Sequence, residues 1–181
     1  MKLLPGLLLF LVCAAIGHIA YVVAAPHLIM HVAMDHASER GAKINSLLHA
    51  PRTTEASRRI VRPAPDLAYS LCVFDVSKGP VIIAAAPSAL SYTSVSLYGP
   101  NTDNFAVFAV DPQTPDAQVG VVIYRPRATG PAAMPDGLAR MNAPGDRGIA
   151  LIRRLAPTPE AFATAQAAQA GDVCALFKPP A

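Results

Sequence analysis

At 181 residues, with its N-terminal part given over to an apolar run, the chain leaves roughly 130 residues to fold, enough for one domain of ordinary size. Hydrophobic residues make up 52% and charged residues 15%, a balance that excludes a disordered chain. The net charge is only +3, and the arginines are scattered among prolines without aromatic interleaving or a basic stripe, which excludes a nucleic-acid surface.

From Leu3 to Ala25 there is no Asp, Glu, Lys or Arg. About twenty apolar residues at ~1.5 Å each cross a hydrocarbon layer of about 30 Å, so the run predicts a transmembrane helix. Lys2 and the α-amino group precede it, whereas Asp35, Glu39, Arg40 and Lys43 behind it cancel. The positive-inside bias therefore predicts a cytoplasmic N-terminus, a single pass through a bacterial inner membrane and an exported, periplasmic remainder in contact with membrane lipid. The competing reading is a cleaved signal peptide, because Val23-Ala24-Ala25 supplies the small residues of a cleavage site. Against it, cleavage there would need Pro26 as the first mature residue, which blocks the reaction, and the run exceeds a usual signal core. Cys13 makes no lipoprotein site, since Leu11-Val12 lacks the small residue required before it.

Beyond the span, Ile29, Val32, Ala33, Ile44, Leu47 and Leu48 keep helical spacing, which predicts a helical stalk kinked at Pro26 and completes a segment 1–50. His27, His31 and Asp35 fall on one helical stripe and form a candidate site for zinc, copper or haem iron. The alternative is that the imidazoles rest in the headgroup region and His31 pairs with Asp35. Residues 51–64, with Arg52, Arg58, Arg59 and Arg62 among Thr, Ser and Pro, read as a linker.

Residues 65–181 then form the exported domain. Short runs rich in β-branched and aromatic residues predict strands at Ala68–Phe74, Val81–Ala85, Ser91–Tyr98, Phe105–Val110, Val119–Tyr124 and Gly148–Arg154. The imperfect alternation of the third fits a bulge. Turn-forming clusters such as Ser77-Lys78-Gly79-Pro80 separate the runs without intervening helices, which favours an antiparallel meander or sandwich over βαβ units. Residues 125–147, dense in Pro and Gly, read as one long loop and a candidate functional edge. Thr158 or Pro159 to Ala170 reads as a helix with Thr158 as N-cap and Gly171 as C-cap. Cys72 and Cys174 are the two thiols of the exported part, and an oxidising compartment would let them pair.

The sequence lacks GxSxG, HExxH, CxxC, a P-loop and GxGxxG. All five histidines precede the predicted β domain, which leaves it no imidazole for a Ser-His nucleophile. The polar residues that remain for a ligand are Asp66, Tyr69, Asn101, Asp103, Asn104 and Arg125. The competing reading makes the Asp and Asn residues turn formers that bond nearby backbone.

The run from Pro65 to Pro80 (PDLAYSLCVFDVSKGP) resembles the core pattern of the domain of unknown function 1254, in which Asp-x-x-Tyr-Ser leads into an apolar strand, an Asp and a Gly-Pro turn. The likeness continues through Tyr92–Tyr98, Asn101–Phe105 and Gly148–Arg153. It implies a β-sandwich of jelly-roll type. Longer members also carry a domain of unknown function 1214, and this chain resembles the short, membrane-anchored branch whose companion domain is a separate protein. The resemblance implies that partner but no reaction and no cofactor. The leading expectation is a non-catalytic envelope subunit or binding module. A catalytic or accessory subunit acting on an envelope glycan or ester through Asp66, Tyr69, Asp103 or Arg125 is the alternative.

Overall fold

The apolar run opens a helix longer than a membrane span alone requires. In a computed structural model that describes residues 3–54, 57, 63–89, 92–110, 119–130 and 137–178, helix α1 runs from Leu3 to Glu39 and continues through Pro26. Its end is set by Gly41, whose φ of +97° suits glycine. Gly41 N–H donates to the Ser38 carbonyl at 2.9 Å and Ala42 N–H to the Ala37 carbonyl at 3.0 Å, the paired bonds of a Schellman cap. The helical spacing out to Leu48 is therefore not used, and the stalk ends nine residues earlier than its periodicity suggests.

After the cap, strand β1 (Leu47–His49) follows, then β2 (Leu67–Asp75), β3 (Val81–Ala85), β4 (Thr93–Tyr98), β5 (Asn104–Ala109), β6 (Val119–Tyr124), β7 (Ala139–Asn142) and β8 (Arg147–Leu155). Helix α2 (Pro159–Gln169) and strand β9 (Val173–Leu176) close the chain. Two sheets result, in the orders β1-β2-β8-β4-β5 and β7-β6-β3-β9. The six strands expected from alternation are present with nearly the expected limits; Ser91 lies outside the described residues.

Two expectations need correcting. The domain is no meander, because β2, β3 and β4 are not paired in sequence order and the chain alternates between the sheets. One pair, β6 with β7, is parallel. The second correction concerns residues 125–147, which contain β7. Its four residues bury only alternate side chains and sit among Gly and Pro, too short a pattern to stand out.

Alternation explains how the sheets meet. Phe74, Val95, Leu97 and Ile152 of the first sheet and Val81, Ile83, Val121 and Ile123 of the second are fully buried in one cluster between them. Each such side chain contributes about 1.5–3 kcal/mol by leaving water. Gly148 permits the close approach of β8 to β4: a Cβ there would overlap the Tyr98 carbonyl and the Phe74 ring. The pairing of β4 with β5 shifts register between Leu97 and Tyr98, the irregularity expected of a bulge.

The opposite face of the first sheet is also occupied. Met30, Met34 and Ala37, one stripe of α1, pack with Ala42 on Val73 and Ile149, so the helix lies side-on against this outer face. At one end of the domain Phe162 and Ala165 of α2 cover Ala68 and Ala156. Thr158 caps α2, its Oγ1 accepting from Ala161 N–H at 3.2 Å.

Candidate functional site

β2 separates the candidate ligand residues into two groups. Asp66 and Tyr69 sit at its first end, beside α2. Asp66 is exposed and its backbone carbonyl accepts from Ala156 N–H at 2.7 Å. The Tyr69 hydroxyl accepts from Ala64 N–H at 2.8 Å. The length of the nine-residue strand β2, on the order of 25 Å at ~3.3 Å per residue, separates them from the end that holds the others.

There Asn101, Asp103 and Asn104 build the turn between β4 and β5. Asn101 donates to the Asp103 carboxylate, and Gly99 N–H donates to the Asp103 carbonyl at 2.9 Å. With its amide oriented to satisfy both ends, Asn104 donates to the Ala106 and Leu97 carbonyls at 2.9 and 3.3 Å. Arg125, at the end of β6, forms a two-pronged contact with Asp146 at 3.3 Å on each arm. The turn packs on the segment before β8, since a Cβ at Gly99 would lie 2.7 Å from Pro144 and one at Gly145 2.7 Å from Pro100. Four of the six candidates thus share an end, yet their polar atoms bond each other, nearby backbone or Asp146 rather than converging on a common point.

Asp75 closes β2 at the same end. Burial pushes its carboxyl pKa up, but the Ser77 hydroxyl and N–H, then Arg147 and Lys78, outweigh this and hold it below the usual carboxylate value. Asn45, at φ 54°, donates to the Asp75 carbonyl at 3.0 Å and accepts from its N–H at 2.8 Å, which ties the segment after α1 to β2.

The stripe of His27, His31 and Asp35 does not converge either. The His27 Nδ1 lies 3.1 Å from the Val23 carbonyl and His31 Nε2 lies 3.5 Å from Asp35 Oδ2, all on the exposed side of α1. Among the described residues no group of three or more His, Cys, Asp and Glu side chains is placed to hold a metal. Arg58, Arg59 and Arg62 of the linker lie outside the described residues. Cys72 and Cys174 are joined by a disulfide, with Cα atoms 6.5 Å apart, that links β2 of one sheet to β9 of the other.

Sequence reasoning missed three polar features. β1 carries His49 into the first sheet, where its Nδ1 lies 2.8 Å from Ser70 Oγ, so the β domain does hold an imidazole next to a serine. Ser70 is 1% exposed and, among the described residues, no carboxylate bonds His49, so the pair fastens β1 to β2 and offers a substrate no open hydroxyl. Arg154 and Asp172, 1% and 0% exposed, pair at 2.6 Å and both bond the backbone of Ala86, bridging β8 to the segment after β3. Arg153 turns to the outer face and donates to Ser96 Oγ at 2.8 Å. Only His49 had a usable signal, since Leu-Leu-His is bounded by the Gly41 cap and Pro51.

The profile of the family described as "Protein of unknown function (DUF1254)" matches residues 44–175, which is most of the chain and takes in β1 to β8, α2 and nearly all of β9. The chain belongs to the DUF1254 family. The match is wider than the stretch from Pro65 to Arg154 on which the sequence motifs lie, because β1, α2 and β9 complete the same two sheets. No curated protein matches the sequence. The crystal structure of the VPA0106 protein from Vibrio parahaemolyticus is similar to this chain with a TM-score of 0.66 at 13% identity, covering 90% of this chain and 40% of that one. That of a putative uncharacterized protein from Burkholderia cenocepacia is similar with a TM-score of 0.44 at 14% identity, over 68% of this chain and 34% of that one. This DUF1254 chain therefore spans less than half the length of the solved proteins it matches.

Proposed function

We propose that this DUF1254 protein is a non-catalytic, membrane-anchored envelope subunit. In this reading α1 holds it in a bacterial inner membrane with the N-terminus in the cytoplasm. The two-sheet domain, a sandwich of the jelly-roll type implied by the family, works in the periplasm with a separate protein that carries the domain of unknown function 1214. No cofactor is needed.

The observation that carries the reading is the continuity of α1 with the β domain. Leu7, Phe10, Ile16, Ile19 and Val23 stay more than half exposed along a helix long and apolar enough to cross a membrane, while Met30, Met34 and Ala37 of the same helix are buried against the first sheet. Large apolar side chains in such number are stable in lipid rather than in water. Pro26, directly after Ala25, supports retention over cleavage. The separation of Asp66 and Tyr69 from Asp103 and Arg125 along β2 supports this reading over a catalytic or accessory subunit acting on an envelope glycan or ester.

Affinity purification of the intact protein from detergent-solubilised membranes tests this. Recovery together with a stoichiometric partner bearing the companion domain is expected; recovery of this chain alone would count against it.

A further inference from the structure

The apolar character of α1 outlasts the length that a membrane span requires. From Leu3 to Met34 the helix carries no Asp, Glu, Lys or Arg, and the next charge is Asp35. An upright helix rising ~1.5 Å per residue would leave a hydrocarbon layer of about 30 Å after some twenty residues, near Val22. Leu28, Ile29 and Val32 lie beyond that point and are nonetheless 64%, 60% and 45% exposed. On an upright helix they would stand about 8–14 Å outside the hydrocarbon, past most of the headgroup layer.

The two sides of this stretch are occupied differently. At ~100° per residue, Met30, Ala33, Met34 and Ala37 share the side that packs on Val73 and Ile149 of the first sheet. Leu28, Ile29 and Val32 fall on the opposite side. Two turns back on that side, Tyr21 and Val22 are exposed in the same way, so the face is continuous with the apolar surface of the span. Past Val32 it turns polar, with Asp35, His36 and Glu39.

We infer that this face lies on the phospholipid of the same bilayer, at the boundary of headgroups and acyl chains. The inference rests on the anchored reading above. An apolar stretch longer than the hydrocarbon layer is accommodated by tilting, within about 0–40° of the bilayer normal, and a tilt toward the Leu28 side brings Leu28, Ile29 and Val32 down to the membrane surface. Helices that lie in this boundary are held by an apolar face set about 5–10 Å into it. The β domain then rides on the upper side of an obliquely emerging helix, close to the membrane surface rather than raised on a stalk. Phospholipid fits the place better than a water-soluble partner. The face runs without a break from side chains that the anchored reading sets in lipid, and it ends where the polar residues begin.

The chain contains no tryptophan, so a single one introduced by substitution reports its own surroundings. Full-length protein carrying Ile29→Trp, Val32→Trp or His36→Trp is reconstituted into vesicles of phosphatidylethanolamine and phosphatidylglycerol, with and without bromine on the acyl chains. Ile16→Trp marks the span. Brominated lipid should quench the fluorescence at positions 16, 29 and 32 at least twofold and leave position 36 unchanged. Aqueous iodide should quench position 36 at least twofold and spare the other three. If position 16 responds to brominated lipid while positions 29 and 32 respond only to iodide, the face stands in water, which overturns the inference and leaves the anchor standing. Protection of positions 29 and 32 from both quenchers would assign the face to a protein contact and overturn it as well. No response to brominated lipid at position 16 would overturn both readings.

Discussion

Asp75 shows how a single side chain is set by its surroundings. Its carboxylate accepts from Ser77 N–H at 2.9 Å and faces Arg147 at 3.7 Å, and its pKa is lowered on folding. A group with a depressed folded-state pKa adds stability that is present above its unfolded value, near 3.8, and is lost as pH falls through the folded value. Melting temperature should therefore decline on acidification below about pH 4, and Asp75→Asn should flatten that decline while lowering stability at neutral pH. An unchanged acid profile in the variant would refute the assignment. Asp75 itself was legible as a turn residue, because Asp before Ser-Lys-Gly-Pro is a common local pattern. The Arg154–Asp172 pair was not, since the two residues meet only once β8 and the α2–β9 connection are folded together. The Asp and Asn candidates were legible as turn residues, but nothing in the types or spacing of the six revealed that β2 holds them apart.

At the scale of the element, strands with sustained alternation were readable. Val81–Ala85 and Val119–Tyr124 have the limits that their β-branched runs suggest. α2 was readable for the same local reason, with Thr158 and Pro159 opening it. β1, β7 and β9 were not, because three or four residues give too little pattern, and the helical spacing beyond Glu39 competed directly with β1. Gly41 was the overlooked signal. Open space surrounds it, so Gly41→Ala should act through backbone strain alone and cost about 1–2 kcal/mol of domain stability in denaturant titration. A variant as stable as the parent would show that the cap does not set where α1 ends. If α1 were loosely hinged to the domain, that substitution would have no reason to reach the β core.

For the whole molecule, two sheets share one core and α1 is packed on the outer face of the first. The order of strands within each sheet could not be read from the sequence, because turns that cross between layers look like hairpin turns; strand spacing left a meander or a sandwich open, and the family resemblance pointed to the sandwich. The disulfide between Cys72 and Cys174 closes a separation of 102 residues and joins both sheets. Replacing both cysteines with alanine should lower stability by about 2–5 kcal/mol, read as an earlier unfolding midpoint, and the parent should lose the same amount when reduced. Equal midpoints for reduced and oxidised parent would argue that the bridge adds nothing. Such a bond persists in an oxidising compartment, which supports the proposed periplasmic side of the domain.

The central claim is that α1 stays attached and anchors this domain. Amino-terminal sequencing of the protein extracted from carbonate-washed membranes tests it most directly. The account predicts an N-terminus ahead of Leu3 on protein retained in the membrane fraction, whereas a start at Pro26 or beyond would contradict it.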